Sequence, residues 1–280
     1  MPALILEGGT FRPIFSCGVM DALIDQNIQF PYVIGVSAGI TDGFSYVSQQ
    51  TKRNYHILMN HRHDKRYVGM RNFVKEKSLF GLRFAYETIP NELYPFDWDT
   101  FLKSSTEIKV GVTNVHTGKA EYLDGKLLDK QCTMLKATCA IPFVFPRIPI
   151  DDNEYYDGGI CDPIPVKKAI QDGHEKMLII LTRPQGYQKT LSSANRFASW
   201  VLKRKYPQLV YPLLHRHEEY NETVRYCEEL EKVGKAVILR PTQDIQIDSF
   251  EKDLKKIDAI YHYGYNLAIE HLKEIQSLFD

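Results

Sequence analysis

Phe30-Pro31-Tyr32-Val33-Ile34-Gly35-Val36-Ser37-Ala38-Gly39 joins an apolar run to a G-x-S-x-G pentapeptide, and a helix-like stretch follows. Strand, serine and then helix is the order of a nucleophile elbow, in which small flanking residues such as Gly35 and Gly39 allow a strained turn that pushes a serine hydroxyl out of the backbone. A tight strand-to-helix turn would use the same residues without chemistry, so the pentapeptide needs a second feature before it means catalysis.

Working outward, Ala3-Leu4-Ile5-Leu6 reads as a buried central strand that delivers the glycine-rich turn Glu7-Gly8-Gly9-Thr10. A helix is expected from Ile14 to Ile24, with Pro13 suited to its first turn. The second strand leads through the serine turn into a helix from Ala38 to about Gln50. Two strand-turn-helix units in fifty residues predict an α/β fold, a mostly parallel central sheet between helices on both faces, in a three-layer α/β/α arrangement. Further strands are expected at Glu107 to Asn114, Ala120 to Leu123, Met177 to Thr182 and Ala236 to Leu239. Two tyrosines, Tyr155 and Tyr156, end another. Helices are expected at Lys126 to Thr138, Pro165 to Gln171, Ala194 to Lys205, Leu213 to Val233 and Ser249 to Ser277. Residues 51–101, rich in aromatics and broken by prolines, read as a cap or lid, and 183–280 as a helical C-terminal part with one further strand.

At 280 residues and 44% hydrophobic, the chain can bury one large core, so a single domain over 1–280 is expected. Lys plus Arg and Asp plus Glu number 35 each, so no overall field draws the protein to nucleic acid. The five scattered cysteines lack a C-x-x-C pair, which suits reduced thiols. The N-terminus has no basic leader, and no stretch approaches ~18 uninterrupted apolar residues. A cytoplasmic protein, peripheral at most to a membrane, is the expectation.

A serine hydroxyl is a poor nucleophile at neutral pH and needs a base and an oxyanion site. Only 36 residues precede Ser37, too few for the strands that an ordinary α/β-hydrolase builds before its elbow. The base candidate is Asp157 in Tyr155-Tyr156-Asp157-Gly158-Gly159, where Gly158 and Gly159 turn the chain sharply with the acid at the tip. D-G is also among the commonest turn dipeptides, so Asp157 alone marks only a turn. His61, His63 and Asp64 lack a second cluster at metal-ligand spacing, and no metal and no other cofactor is expected. Gly8-Gly9 lacks G-x-G-x-x-G spacing, which argues against dinucleotide binding.

A glycine-rich loop after the first strand, an early G-x-S-x-G and a later D-G-G together resemble the three-part signature of the patatin-like phospholipases, over roughly residues 3 to 182. The resemblance implies a Ser37–Asp157 catalytic dyad without histidine. It implies an oxyanion hole of backbone N–H groups from Gly8, Gly9, Thr10, Phe11 and Arg12, together with Ala38. Two residues depart from the loop pattern: Thr10 stands at the third glycine, and Pro13 at the closing glycine has no N–H to donate. The implied activity is hydrolysis of lipid acyl esters such as phospholipids or lysophospholipids. An acyltransferase or thioesterase using the same dyad, and a catalytically idle lipid-binding regulatory protein, are the alternatives. A buried aspartate is a better base than a solvated one, and Phe11, Phe143, Phe145 and the cap aromatics are candidates to dry the site and receive an acyl chain. Arg12 is a candidate for steadying the glycine loop or meeting a phosphate head group, and a solvated loop arginine would look the same. The run from Lys203 to His217 mixes bases and aromatics, which suits an ordinary amphipathic surface or transient contact with a membrane surface.

Overall fold

The computed structural model describes residues 1–243 and 245–280. Its first strand, β1 (Ala3–Leu6), is wholly buried, as a short apolar run with helices on both sides must be. Pro13, at φ −60°, leads into α1 (Ile14–Asp25), where a missing N–H costs the helix little. The unit repeats with β2 (Tyr32–Val36) and α2 (Ser37–Val47), and β1 and β2 pair in parallel.

The proline-broken stretch then forms α3 (Arg53–His61), α4 (Met70–Glu76), a π-type helix at Phe84–Leu93 with Pro90 inside it, and α5 (Trp98–Lys103). Its buried apolar residues include Leu58, Phe80, Ile89 and Phe96. Phe44 of α2 packs against Phe96 and Phe101, with centroid distances of 6.5 and 5.3 Å.

β3 (Glu107–Asn114) and β4 (Ala120–Asp124) form an antiparallel pair. The helix expected from Lys126 is much shorter, with α6 confined to Thr133–Thr138. Cys132 precedes it at φ 52°, a left-handed turn that starts the helix afresh. Next come β5 (Ile148–Ile150) and β6 (Asn153–Asp157). Pro149 hides β5 from a propensity reading, yet its edge position tolerates a residue without N–H. The remainder is α7 (Val166–Gln171), β7 (Met177–Ile180), α8 (Ser193–Leu202), α9 (Val210–Lys232), β8 (Ala236–Leu239), α10 (Leu254–Glu270) and α11 (Leu272–Ser277). Residues 249–277, which read as one helix, begin helical structure only at Leu254 behind the Asp253 cap, and break at His271.

Sheet connections run β5-β6-β3-β2-β1-β7-β8, with β4 also on β3. The strands β3, β2, β1, β7 and β8 are parallel. Side chains alternate between the two faces: Leu4, Leu6 and Val33 enter one apolar cluster, and Ala3, Ile5, Tyr32 and Ile34 the other. Continuous apolar strands therefore follow from a sheet that is covered twice. Among the described residues, no helix is long and apolar enough to cross a membrane.

The C-terminal helix α10 lies directly on α1. A Cβ on Gly18 would stand 2.0 Å from the Tyr261 carbonyl oxygen, and one on Gly264 would stand 2.3 Å from that of Phe15. Tyr261 donates to Asp21 at 2.7 Å and Tyr265 to Asp25 at 2.9 Å. In a free helix Gly18→Ala would stabilise by about 1 kcal/mol. Against backbone it should instead destabilise by about 1–3 kcal/mol, so a thermal melt of the variant should show a lowered transition, and a raised one would contradict this packing.

Candidate active site at the β2–β6 junction

The site is made by strand register. Residues 109–111 of β3 pair with β2 on one edge and β4 on the other, whereas Val112 and Thr113 pair with β4 and β6. Thus β2 and β6 share an edge and meet end to end. Parallel β2 stops with Val36 opposite Gly111, and antiparallel β6 stops with Asp157 opposite Val112. Ser37 and Asp157, 120 positions apart in the chain, are the residues at that meeting point.

Ser37 has φ 55°, a left-handed conformation that costs a non-glycine residue roughly 1–3 kcal/mol and persists only where neighbours impose it. Its N–H donates to the Thr138 hydroxyl at 2.8 Å, which donates in turn to the Gly111 carbonyl at 2.6 Å. The flanking glycines are needed for space. A Cβ on Gly35 or Gly39 would stand 2.6 Å from the Leu6 oxygen or 2.3 Å from the Glu7 oxygen, and one on Gly8 would stand 2.8 Å from the Ser37 Cβ.

Asp157 is 4% exposed. Its N–H donates to the Ala140 carbonyl at 3.0 Å and its carboxylate accepts the Gly159 N–H at 2.8 Å, while Gly158 packs on Gly111. Burial is the dominant influence and raises the carboxyl above its ordinary value. The charge of Arg216, the nearby Ser37 hydroxyl and the Gly159 amide pull the other way. Beside Ser37, burial pushes the Cys139 thiol up to about 12, so it stays protonated.

In the facing loop, Gly9 has φ 159° and Thr10 has φ 59°. Thr10 therefore adopts a backbone that favours glycine, and the substitution keeps the loop's shape at a cost in strain. The Phe11 N–H donates to the Ser249 carbonyl and that of Arg12 to the Gly9 carbonyl, at 3.2 and 3.1 Å. Those two amides are engaged. Among the described residues, the amides of Gly8, Gly9, Thr10 and Ala38 have no hydrogen-bond acceptor within the protein.

Two chambers meet at Thr10, Ser37 and Ile141. One, of about 150 Å³, is lined by Phe11, Tyr67, Phe80, Tyr86, Ile89 and Phe145 among others, so the segment 51–101 supplies much of its wall. The other, of about 340 Å³, holds Asp157, Arg12, Arg183, Lys189 and Arg216. Phe143 does not join the apolar wall. At φ 66° it turns outward and is 43% exposed. Arg216, part of a run that reads as surface, points inward and its Nε donates to the Gly159 carbonyl. Thr138, Arg183, Lys189 and Ser249 carry no local pattern that would mark them. His61 stacks edge-on with Phe84 and Tyr94 and lies 3.6 Å from the Asp64 carboxylate, which also pairs with Arg66. Among the described residues, no group of three His, Cys, Asp or Glu could hold a metal ion.

The family description "Patatin-like phospholipase" matches residues 4–170, which cover β1, the glycine loop, Ser37 and Asp157. The chain belongs to the patatin-like phospholipase family. A second description, "Domain of unknown function (DUF6363)", matches residues 206–280, and that region contributes Arg216 and Ser249 to the site. The chain is 24% identical over 241 residues to the "Uncharacterized protein YjjU" of Escherichia coli, covering 81% of this chain and 64% of that protein. It is 23% identical over 297 residues to "Lysophospholipase nte1" of Aspergillus terreus, covering 98% of this chain and 18% of that protein. The chain therefore spans under two thirds of either relative. The crystal structure of VipD from Legionella pneumophila has a similar fold, at TM-score 0.50 and 12% identity, covering 97% of this chain and 66% of that one.

The raised Asp157 value has a thermodynamic sign. An aspartate in the unfolded chain ionises near 3.8 and the folded one above it, so the folded state holds the proton longer and stability falls as pH rises through that window. Asp157→Asn keeps an acceptor for the Gly159 N–H and removes the buried charge. Its thermal transition should lie above that of the unsubstituted protein at pH 7.5, and the gap should close as pH falls toward 4; a lower transition at pH 7.5 would contradict a charge held at a cost.

Proposed function

We propose that the protein hydrolyses lipid acyl esters, with Ser37 as nucleophile and Asp157 as general base. The observation that carries this reading is the strained Ser37 at the end of β2, facing a buried carboxylate at the end of β6, between an apolar and a polar chamber. The Ser37 hydroxyl gives its proton to Asp157 as its oxygen bonds to the ester carbonyl carbon. The N–H groups of Gly8, Gly9, Thr10 and Ala38 face the negative oxygen that develops. The intermediate collapses, the ester C–O bond breaks, and Asp157 returns the proton to the departing alcohol oxygen. Water then repeats the sequence on the acyl-enzyme, releasing the fatty acid and restoring Ser37. Burial suits Asp157 to this work by bringing its proton affinity nearer to that of its partner. That the relative from Aspergillus terreus is titled a lysophospholipase supports a lipid substrate.

The protein works at a lipid surface in this reading. Phe197 and Trp200 on α8 are 54% and 64% exposed, and the Phe143 ring lies 5.3 Å from that of Phe197. Lys203, Arg204 and Lys205 follow immediately, and Ser192 and Asn195 at the start of α8 border the polar chamber. Aromatic and basic residues together at the mouth of the site suit the interface of an anionic membrane.

A fluorophosphonate should label the protein at Ser37, and Ser37→Ala should lose both label and lipid esterase activity by about 10³-fold or more. An unlabelled but folded protein would instead mark an idle lipid binder. Activity should fall on the acid side as Asp157 takes its proton, at a pH above the ordinary aspartate range, and Asp157→Asn should lower kcat about 10²–10⁴-fold. Replacing Phe197 and Trp200 by Ser should reduce co-sedimentation with anionic vesicles several-fold while leaving hydrolysis of a dispersed short-chain ester nearly intact. Equal losses in both assays would count against a surface-binding role.

A further inference from the structure

The polar chamber beside Ser37 collects more positive charge than the chemistry above requires. Arg12 reaches in from the glycine loop, Arg183 and Lys189 from the segment after β7, and Arg216 from α9. Facing them are two carboxylates, Glu7 and Asp157. The Glu7 carboxylate is already engaged, accepting the Thr182 N–H at 2.6 Å. Among the described residues, none of the four cations stands within ion-pair distance of a carboxylate.

What holds these cations is aromatic or neutral. Arg183 lies over the Tyr187 ring at 4.6 Å and Lys189 over that of Tyr220 at 3.8 Å. Arg12 donates to the hydroxyls of Thr182 and Ser249. The Arg183 Nε is buried and has no hydrogen-bond partner, an arrangement that folding alone disfavours. Burial pushes the Lys189 ammonium well below the usual lysine range, and the neighbouring Arg216, Arg12 and Arg183 push it further, against the pull of Glu7. The chamber is thus a set of fixed donors around a space of about 340 Å³, four basic side chains against two carboxylates, neither of which is in ion-pair contact with them. Thr190, Ser192 and Asn195 add polar groups to the rim.

We propose that Arg183, Lys189, Arg216 and Arg12 form a binding site for a phosphate group, on the side of Ser37 opposite the apolar chamber. Guanidinium forks match phosphate oxygens in pairs, which an isolated ammonium does not. The position rests on the hydrolase reading for its role: an acyl chain in the apolar chamber leaves the alcohol portion of the ester facing the cations. The substrate is then an acyl ester whose alcohol carries a phosphate, of the lysophospholipid kind, and neutral glycerides fit the chamber poorly. Three of the four cations lie outside residues 4–170, so this property belongs to the second half of the chain.

The test gives the protein two esters that differ by one group, a lysophosphatidic acid and the monoacylglycerol with the same acyl chain, and in parallel titrates inorganic phosphate and glycerophosphate calorimetrically. The phosphate ester should be preferred by about tenfold or more in kcat/KM. That ratio should fall toward one in Arg183→Gln and in Lys189→Gln, each checked for a normal thermal transition. Inorganic phosphate should bind saturably and compete with the monoacylglycerol, with competition weakened several-fold in either variant. Saturable phosphate binding without preference between the esters supports the site and assigns it to a free anion; preference with weak phosphate binding supports it and assigns it to the head group. A ratio near one with no saturable phosphate binding overturns it. If neither ester is cleaved and Ser37 takes no fluorophosphonate, the hydrolase reading fails by itself, and the phosphate titration still decides the anion site.

Discussion

The end-to-end meeting of β2 and β6 on one edge of β3 is the constraint on which the rest of the molecule depends. A parallel strand and an antiparallel strand cannot both occupy one stretch of that edge, so each stops where the other begins. The two stopping points carry Ser37 and Asp157. Thr113, one position past the junction, donates to the Asp157 carbonyl at 2.9 Å, and Thr138 ties the Ser37 amide to Gly111. A slip of one residue in β6 would turn Asp157 to the opposite face of the sheet. Ladder register, rather than any contact between the two side chains, sets their separation, and it is held by a buried core on each face.

Much of this was legible in the residues because the buried elements obey local rules. The runs Ala3 to Leu6 and Met177 to Ile180 are uniformly apolar because both their faces are covered, and they appear as strands as expected. Ser37 and Asp157 could be singled out because the turns that hold them require small neighbours at fixed offsets. Elements whose limits depend on distant partners were harder. The start of α6 is set by a left-handed Cys132, and β5 exists because β6 offers an edge that tolerates Pro149. The outward turn of Phe143 likewise reflects a backbone conformation that composition does not announce.

Apart from Arg12, the cations of the polar chamber lay furthest from view. Each is an ordinary arginine or lysine in its own segment, and Arg216 sits in a run whose aromatics and bases resemble a solvated helix face. Only the docking of α9 near the β6 turn brings it to Gly159. Chemistry assembled from residues on three separate segments has no spacing to read. Motifs report what neighbours in the chain build together, and this chamber is built by neighbours in space.

The bond from Phe11 to Ser249 joins positions 238 residues apart, and Arg62 adds two more to the carbonyls of Phe250 and Glu251. Closing so long a segment loses chain entropy before any contact rewards it, which makes such links late events in folding. The loop that faces Ser37 is therefore finished by residues far along the chain from it. Until that strap has docked, Ser37 and Asp157 stand opposite an unfinished loop, so the candidate centre takes shape only once the two ends of this long segment have met.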